Sequence, residues 1–107
     1  MRILKKRQSQ PLHTDSLKLL ADYWTLRIVD ALKGGELRYC QLQRAVGNVN
    51  PVTLSNRLKK LEDAQLIIRA EESLNKLSVV YSLSQLGREA VPVINSINRF
   101  SQKVSQA

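Results

Sequence analysis

Apolar and polar positions along this chain follow two different periods, and the points where the period changes mark its elements. Leu17, Leu20, Ala21 and Trp24 share one side of a first helix that Thr14 or Asp15 can cap. Asp22-Tyr23 interrupts the pattern, and a second helix from about Thr25 turns Leu26, Ile28, Val29 and Leu32 inward. Gly34-Gly35 ends it, because glycine enters left-handed backbone without a Cβ penalty. A very short strand is expected at Leu37-Arg38-Tyr39, then a helix from Cys40 that buries Leu42, Ala45 and Val46. The next helix, Pro51 to about Ala64, buries Leu54, Leu58 and Leu61 at i, i+4 and i+7. At Leu66 the period shifts to that of a strand. Leu66-Ile67-Ile68-Arg69 and Leu77 to Leu83, joined by polar residues 71–76, predict a β-hairpin. Ser84 can cap a last helix with Leu86, Val91, Val93, Ile94, Ile97 and Phe100 as its apolar positions; Pro92 should bend it unless the helix starts later.

This order of elements predicts an α+β fold that is mostly α. It is a winged helix-turn-helix with a two-stranded β wing and flanking N- and C-terminal helices. Residues 1–13 read as a basic flexible arm, and 14–107 as the folded domain. Within the motif, Cys40 to Val46 is the first helix, Gly47-Asn48-Val49 the turn, and Asn50-Pro51-Val52-Thr53 the start of the second. Asn50 can cap that helix through its side-chain oxygen, and Pro51 at the first helical position gives up a donor that would be unpaired anyway.

Charge sharpens the picture. From Leu37 to Leu61 the chain carries Arg38, Arg44, Arg57, Lys59 and Lys60 and no Asp or Glu. The whole chain has a formal charge of +8, which favours a polyanionic partner. No apolar run is long enough to span a bilayer, and no secretory leader is visible at the N-terminus, where polar Gln8-Ser9-Gln10 follows the basic residues. A single cysteine cannot form an internal disulfide, so a reducing cytoplasm is expected. His13 stands apart from any carboxylate or thiol at metal-ligand spacing, and no nucleophile, base and orienter set appears. Neither a cofactor nor catalysis is expected.

These segments resemble the HxlR-type winged helix regulators. Leu20 to Leu26 is similar to the stretch around the tryptophan and threonine that opens that family. Arg38-Tyr39-Cys40-Gln41-Leu42 looks like its Arg-Phe-Ser-Glu-Leu segment. Val49 to Glu62 is similar to its recognition helix, with the recurring Leu-x-x-Arg-Leu-x-x-Leu-Glu core at Leu54 to Glu62, and Val79 to Gly87 looks like the wing strand and the start of the last helix. The resemblance covers about Leu17 to Phe100. It implies a homodimeric prokaryotic transcription regulator that binds palindromic operators and dimerises through its terminal helices. Many members carry a redox cysteine followed by proline before the first helix; this chain has Gln10-Pro11, so that chemistry is not carried over. The family's Gly-Gly-Lys before tryptophan is Ala21-Asp22-Tyr23, and its proline-rich wing segment is replaced by Leu74 to Ser78.

Residues in the first two turns of a recognition helix reach base edges, which selects Val52, Thr53, Ser55 and Asn56. Asn56 can pair bidentately with adenine, and Val52 or the Thr53 methyl can touch a thymine methyl. Lys60 and Arg57 are expected to hold phosphates, with Arg57 also able to reach a guanine, and outward-pointing Lys59 is a further expected DNA contact. Arg38, Arg44 and, at the wing tip beside Asn75, Lys76 are expected backbone contacts. The plain alternative for each is a solvated surface. Cys40 stands where a serine would cap a helix; it is read as a small cap substitute, with a redox switch as the rival. Leu17, Leu20, Trp24, Val93, Ile94, Ile97 and Phe100 are the expected dimer surface. No separate ligand domain is expected within these residues, so a small-molecule effector would sit between subunits or in the small core. A winged helix used only for protein–protein assembly is the competing function, and the acid-free window argues against it.

Overall fold

A computed structural model of the chain describes residues 14–71 and 79–106. The expected arm, with His13, and the wing tip, with Asn75 and Lys76, lie outside the described residues. Among the described residues six helices and three strands follow in the order α1 Thr14–Leu20, α2 Tyr23–Leu32, β1 Leu37–Arg38, α3 Tyr39–Ala45, α4 Pro51–Asp63, β2 Ile67–Glu71, β3 Val79–Leu83, α5 Gln85–Arg88 and α6 Val91–Gln106.

The core is assembled where four helices meet the sheet. Ile28, Val29 and Leu32 of α2, Leu42 of α3, Leu54, Leu58 and Leu61 of α4, Ile67, Tyr81 and Leu83 of the sheet and Ile94 of α6 form one buried cluster. The α4 stripe is the one its spacing predicts, and burying each leucine contributes about 1.5–3 kcal/mol. The winged helix is therefore mostly helical with a small antiparallel sheet, as the periodicities require.

Several local readings change. The strand after Gly35 joins the wing: β1 pairs with β3 through Leu37 to Tyr81 and Arg38 to Val80, so β3 is the centre of a three-stranded sheet ordered β1-β3-β2. The last helix is two helices. Ser84 caps only the short α5, and α6 starts at Val91, leaving Pro92 in its first turn where no intrahelical donor is needed. No bend is required. Ala45 is exposed, and so is Leu86. Ile94, expected on a dimer surface, is 4% exposed and belongs to the chain's own core. A run of apolar residues does not say which of its members faces inward, and packing on α2 selects Ile94.

Candidate nucleic-acid interface

The turn between α3 and α4 is held by its own backbone. Gly47 and Asn48 both have positive φ, 92° and 58°, a conformation that glycine and asparagine enter most readily. The Asn48 N–H donates to the Gln43 carbonyl at 2.8 Å, and the Gln43 side-chain amide donates to the Val49 carbonyl at 3.0 Å. Val49 is buried beneath the turn. Asn50 then caps α4 as expected, its side-chain oxygen accepting from the Val52 N–H at 2.7 Å. The Tyr39 hydroxyl lies 3.4 Å from both the Pro51 carbonyl and the Ser55 hydroxyl, a long and weak contact that still ties the start of α3 to the first turn of α4.

With its leucines buried, α4 turns Val52, Ser55, Asn56, Lys59 and Lys60 to solvent along one stripe, and Val52 is 68% exposed. Thr53 is half-buried on the flank. Lys59 pairs with Asp63 at 3.1 Å, an exposed contact towards the C-terminal end of α4. Arg44 is exposed on α3, and Arg38 is exposed beside the wing, opposite Val80 of β3. The structure thus brings all of these except Lys76, which is not described, and Thr53 and Arg57 on the flanks, to open surface around one capped helix.

Arg57 is turned the other way. Its Nε donates to Asp22 Oδ2 at 2.8 Å and its Nη2 to Asp22 Oδ1 at 3.2 Å, a forked pair across the gap between α4 and the start of α2. The same Asp22 oxygen caps α2, accepting from both the N–H and the hydroxyl of buried Thr25 at 3.0 Å. Sequence reasoning treats Asp22 only as part of a break; its spacing to Thr25 is the signal for the cap, but nothing local signals the arginine. Hydrogen bonding from Arg57, and then from Thr25, outweighs burial and lowers the Asp22 carboxyl from about 3.8 to about 2, while Arg57 is raised.

A depressed carboxyl stabilises the fold above its unfolded pKa and loses that contribution as pH falls through its folded pKa. Stability should therefore be level above about pH 4 and decline towards pH 2, with Asp22→Asn removing that part of the decline. Because the pair is partly open to water, about 1 kcal/mol is the expected size. Urea titrations of both proteins from pH 2 to 6 test it; identical acid limbs would remove the pair from the account.

Cys40 is not the cap. α3 begins at Tyr39, so Arg38 holds the cap position and the Gln41 side chain accepts from the Arg38 N–H at 2.9 Å, leaving Cys40 exposed in the first turn. Cys40→Ser should change unfolding stability by less than about 0.5 kcal/mol in chemical denaturation. A larger loss would mean that the thiol has a contact of its own. Among the described residues no cluster of His, Cys, Asp and Glu can hold a metal, and no helix is long and apolar enough to cross a membrane.

The model of the HxlR-like helix-turn-helix family matches residues 19–107. The uncharacterised HTH-type transcriptional regulator YdzF of Bacillus subtilis is 39% identical over 84 residues, covering 77% of this chain and 76% of the relative. A solved structure from Porphyromonas gingivalis, named as a MarR-family transcriptional regulator, superimposes with a TM-score of 0.77 at 28% identity, over 94% of this chain and 97% of its own. A transcriptional regulator named YtfH from Salmonella typhimurium gives 0.75 at 26% identity, over 87% and 88%.

Proposed function

Because the chain belongs to the HxlR-like helix-turn-helix family, and is a DNA-binding transcriptional regulator of winged helix type rather than an enzyme, we propose that it works as a homodimer reading a palindromic operator. Residues 14–107 form the unit that binds and dimerises, and it acts on the nucleoid in the cytoplasm. One α4 enters the major groove of each half-site, and the wing lies alongside with Lys76 on a phosphate. Val52, Ser55 and Asn56 face base edges, with Thr53 on their flank. Lys59, Lys60, Arg38 and Arg44 meet the backbone.

The observation that carries this reading is the outward stripe of α4: apolar, hydroxyl and amide groups at its capped end, cations further along, and no acid before Glu62. Dimerisation is supported by α6. After Ile94 and half-buried Asn95 every described residue to Gln106 is exposed, yet Val93, Ile97, Phe100 and Val104 recur at alternating steps of four and three. That is the spacing with which helices pair. Val104 continues the expected surface by a turn, and the spacing alone would have found it. On the N-terminal side Leu17 is exposed while Leu20 and Trp24 are half-buried, so Leu17 offers the most open apolar surface there.

The test is to select the operator from a random DNA pool and then compare variants on operator and random DNA. Asn56→Ala should cost about 1–3 kcal/mol on the operator and much less on random DNA, since only the operator presents the matching base edge. Lys60→Ala should weaken both similarly and reduce the salt slope by about one unit, since phosphates are on every sequence. Equal loss on both DNAs for Asn56→Ala, or an unchanged slope for Lys60→Ala, would take α4 out of the groove.

A further inference from the structure

Behind the recognition helix lies a cleft of about 470 Å³, walled by α1 on one side and by the rear flank of α4 on the other. The Asp22–Arg57 pair forms part of its lining, and Lys18 and Lys60 approach it from the two helices. Its charges are not balanced in what they can still bind. Of the acids around it, Asp22 is held by Arg57 and Thr25, and Asp63 by Lys59; Asp15 alone has no partner among the described residues. The cations differ. Lys18 and Lys60 make no ion pair or hydrogen bond among the described residues. Arg57 has five N–H donors and gives two of them to Asp22, so three remain. Leu19 and Ala64 add apolar surface to the same walls.

The geometry points to a binding site here for a small organic anion, a carboxylate carried on a compact apolar body, which lowers operator affinity when it binds. The carboxylate takes the uncommitted donors of Lys18, Lys60 and Arg57, and the body lies on Leu19 and Ala64. The link to DNA needs no conformational change. Lys60 both lines this cleft and stands on the outward face of α4, so an anion that engages it removes one cation from the phosphate contact. By linkage, DNA must weaken the anion by the same factor. The effect on DNA rests on the proposed function; the binding of the anion does not.

Benzoate is the probe, with benzamide as its neutral isostere and inorganic phosphate as an anion without an apolar body. Titrated into the DNA-free protein and followed by amide NMR, benzoate should shift Lys18, Leu19 and Arg57 saturably at low millimolar concentration, while benzamide and phosphate bind at least about tenfold more weakly. On the operator, benzoate should lower affinity about three- to tenfold and reduce the salt slope by about one unit. Lys18→Ala should bind operator normally without benzoate and lose the response to it, and Lys18→Arg should restore the response. No saturable shift with benzoate up to about 10 mM, or equal binding of benzamide or phosphate, overturns the site. Saturable binding with no change in operator affinity overturns the regulatory link while leaving the site, and failure of the chain to bind any selected DNA would count against the proposed function alone.

Discussion

Gly87→Ala should strongly destabilise this fold, because the added methyl has no room. A Cβ at Gly87 would land on the Leu66 carbonyl oxygen and come within 3.3 Å of the Leu83 side chain. Neither can easily give way. The Leu66 carbonyl already accepts from the Ser84 N–H at 3.0 Å, and the Ser84 hydroxyl donates to the Gln65 carbonyl at 2.7 Å while accepting from the Gly87 N–H at 3.0 Å. These bonds fasten the α4–β2 corner, where Gln65 has a φ of 65°, to the start of α5. Alanine's better helix propensity is worth only about 1 kcal/mol and does not offset a collision with backbone. A loss of about 3 kcal/mol or more is expected, lowering the melting temperature by at least roughly 10 °C. A variant that melts within about 3 °C of the parent would show that this corner is looser than its hydrogen bonds indicate.

Charging the exposed face of α6 should separate the subunits without unfolding them. Phe100 is 67% exposed and Ile97 41% in the single chain, so Ile97→Asp with Phe100→Asp opens no cavity in the core. If these side chains face a second copy, each carboxylate is buried against apolar surface with no partner, which the interface cannot sustain. Sedimentation at micromolar concentration should change from dimer to monomer, with the far-ultraviolet circular dichroism unchanged. Operator affinity should fall about 100-fold or more, because two half-sites are no longer joined in one binding event. A parent protein that is already monomeric with and without DNA would refute the dimer, and a charged variant that stays dimeric would move the interface off α6.

What was legible in the chain is what neighbours within a few residues determine. The turn at Gly47-Asn48, the cap and proline at Asn50-Pro51, the leucine stripe of α4 and the change of period at the wing each depend on local chemistry, and each leads to the element observed. Given those buried leucines, the outward direction of Val52, Ser55, Asn56, Lys59 and Lys60 follows from helical geometry alone. Local rules also misplace some details, Cys40 by a residue or two and the start of α6 by nearly two turns, because several nearby groups compete to cap a helix.

The tertiary structure decided whatever depends on a partner far along the chain. Arg57 belongs to the acid-free window by sequence, but folding brings it to Asp22, 35 residues away, and turns its guanidinium off the outward face. Leu37 and Arg38 are too short a strand to signal their place, and only pairing with β3 makes them part of the sheet. Ile94 and Val93 are equally apolar neighbours, and packing against α2 buries one while leaving the other open. Gly87 looks like an ordinary helix weakness until the Leu66 carbonyl arrives beside it. Periodicity, caps and charge point to most of the elements and to the outward face of α4 because their causes are local; which side chain meets which carboxylate or carbonyl across the fold is set by how the elements pack, and no spacing along the chain encodes it.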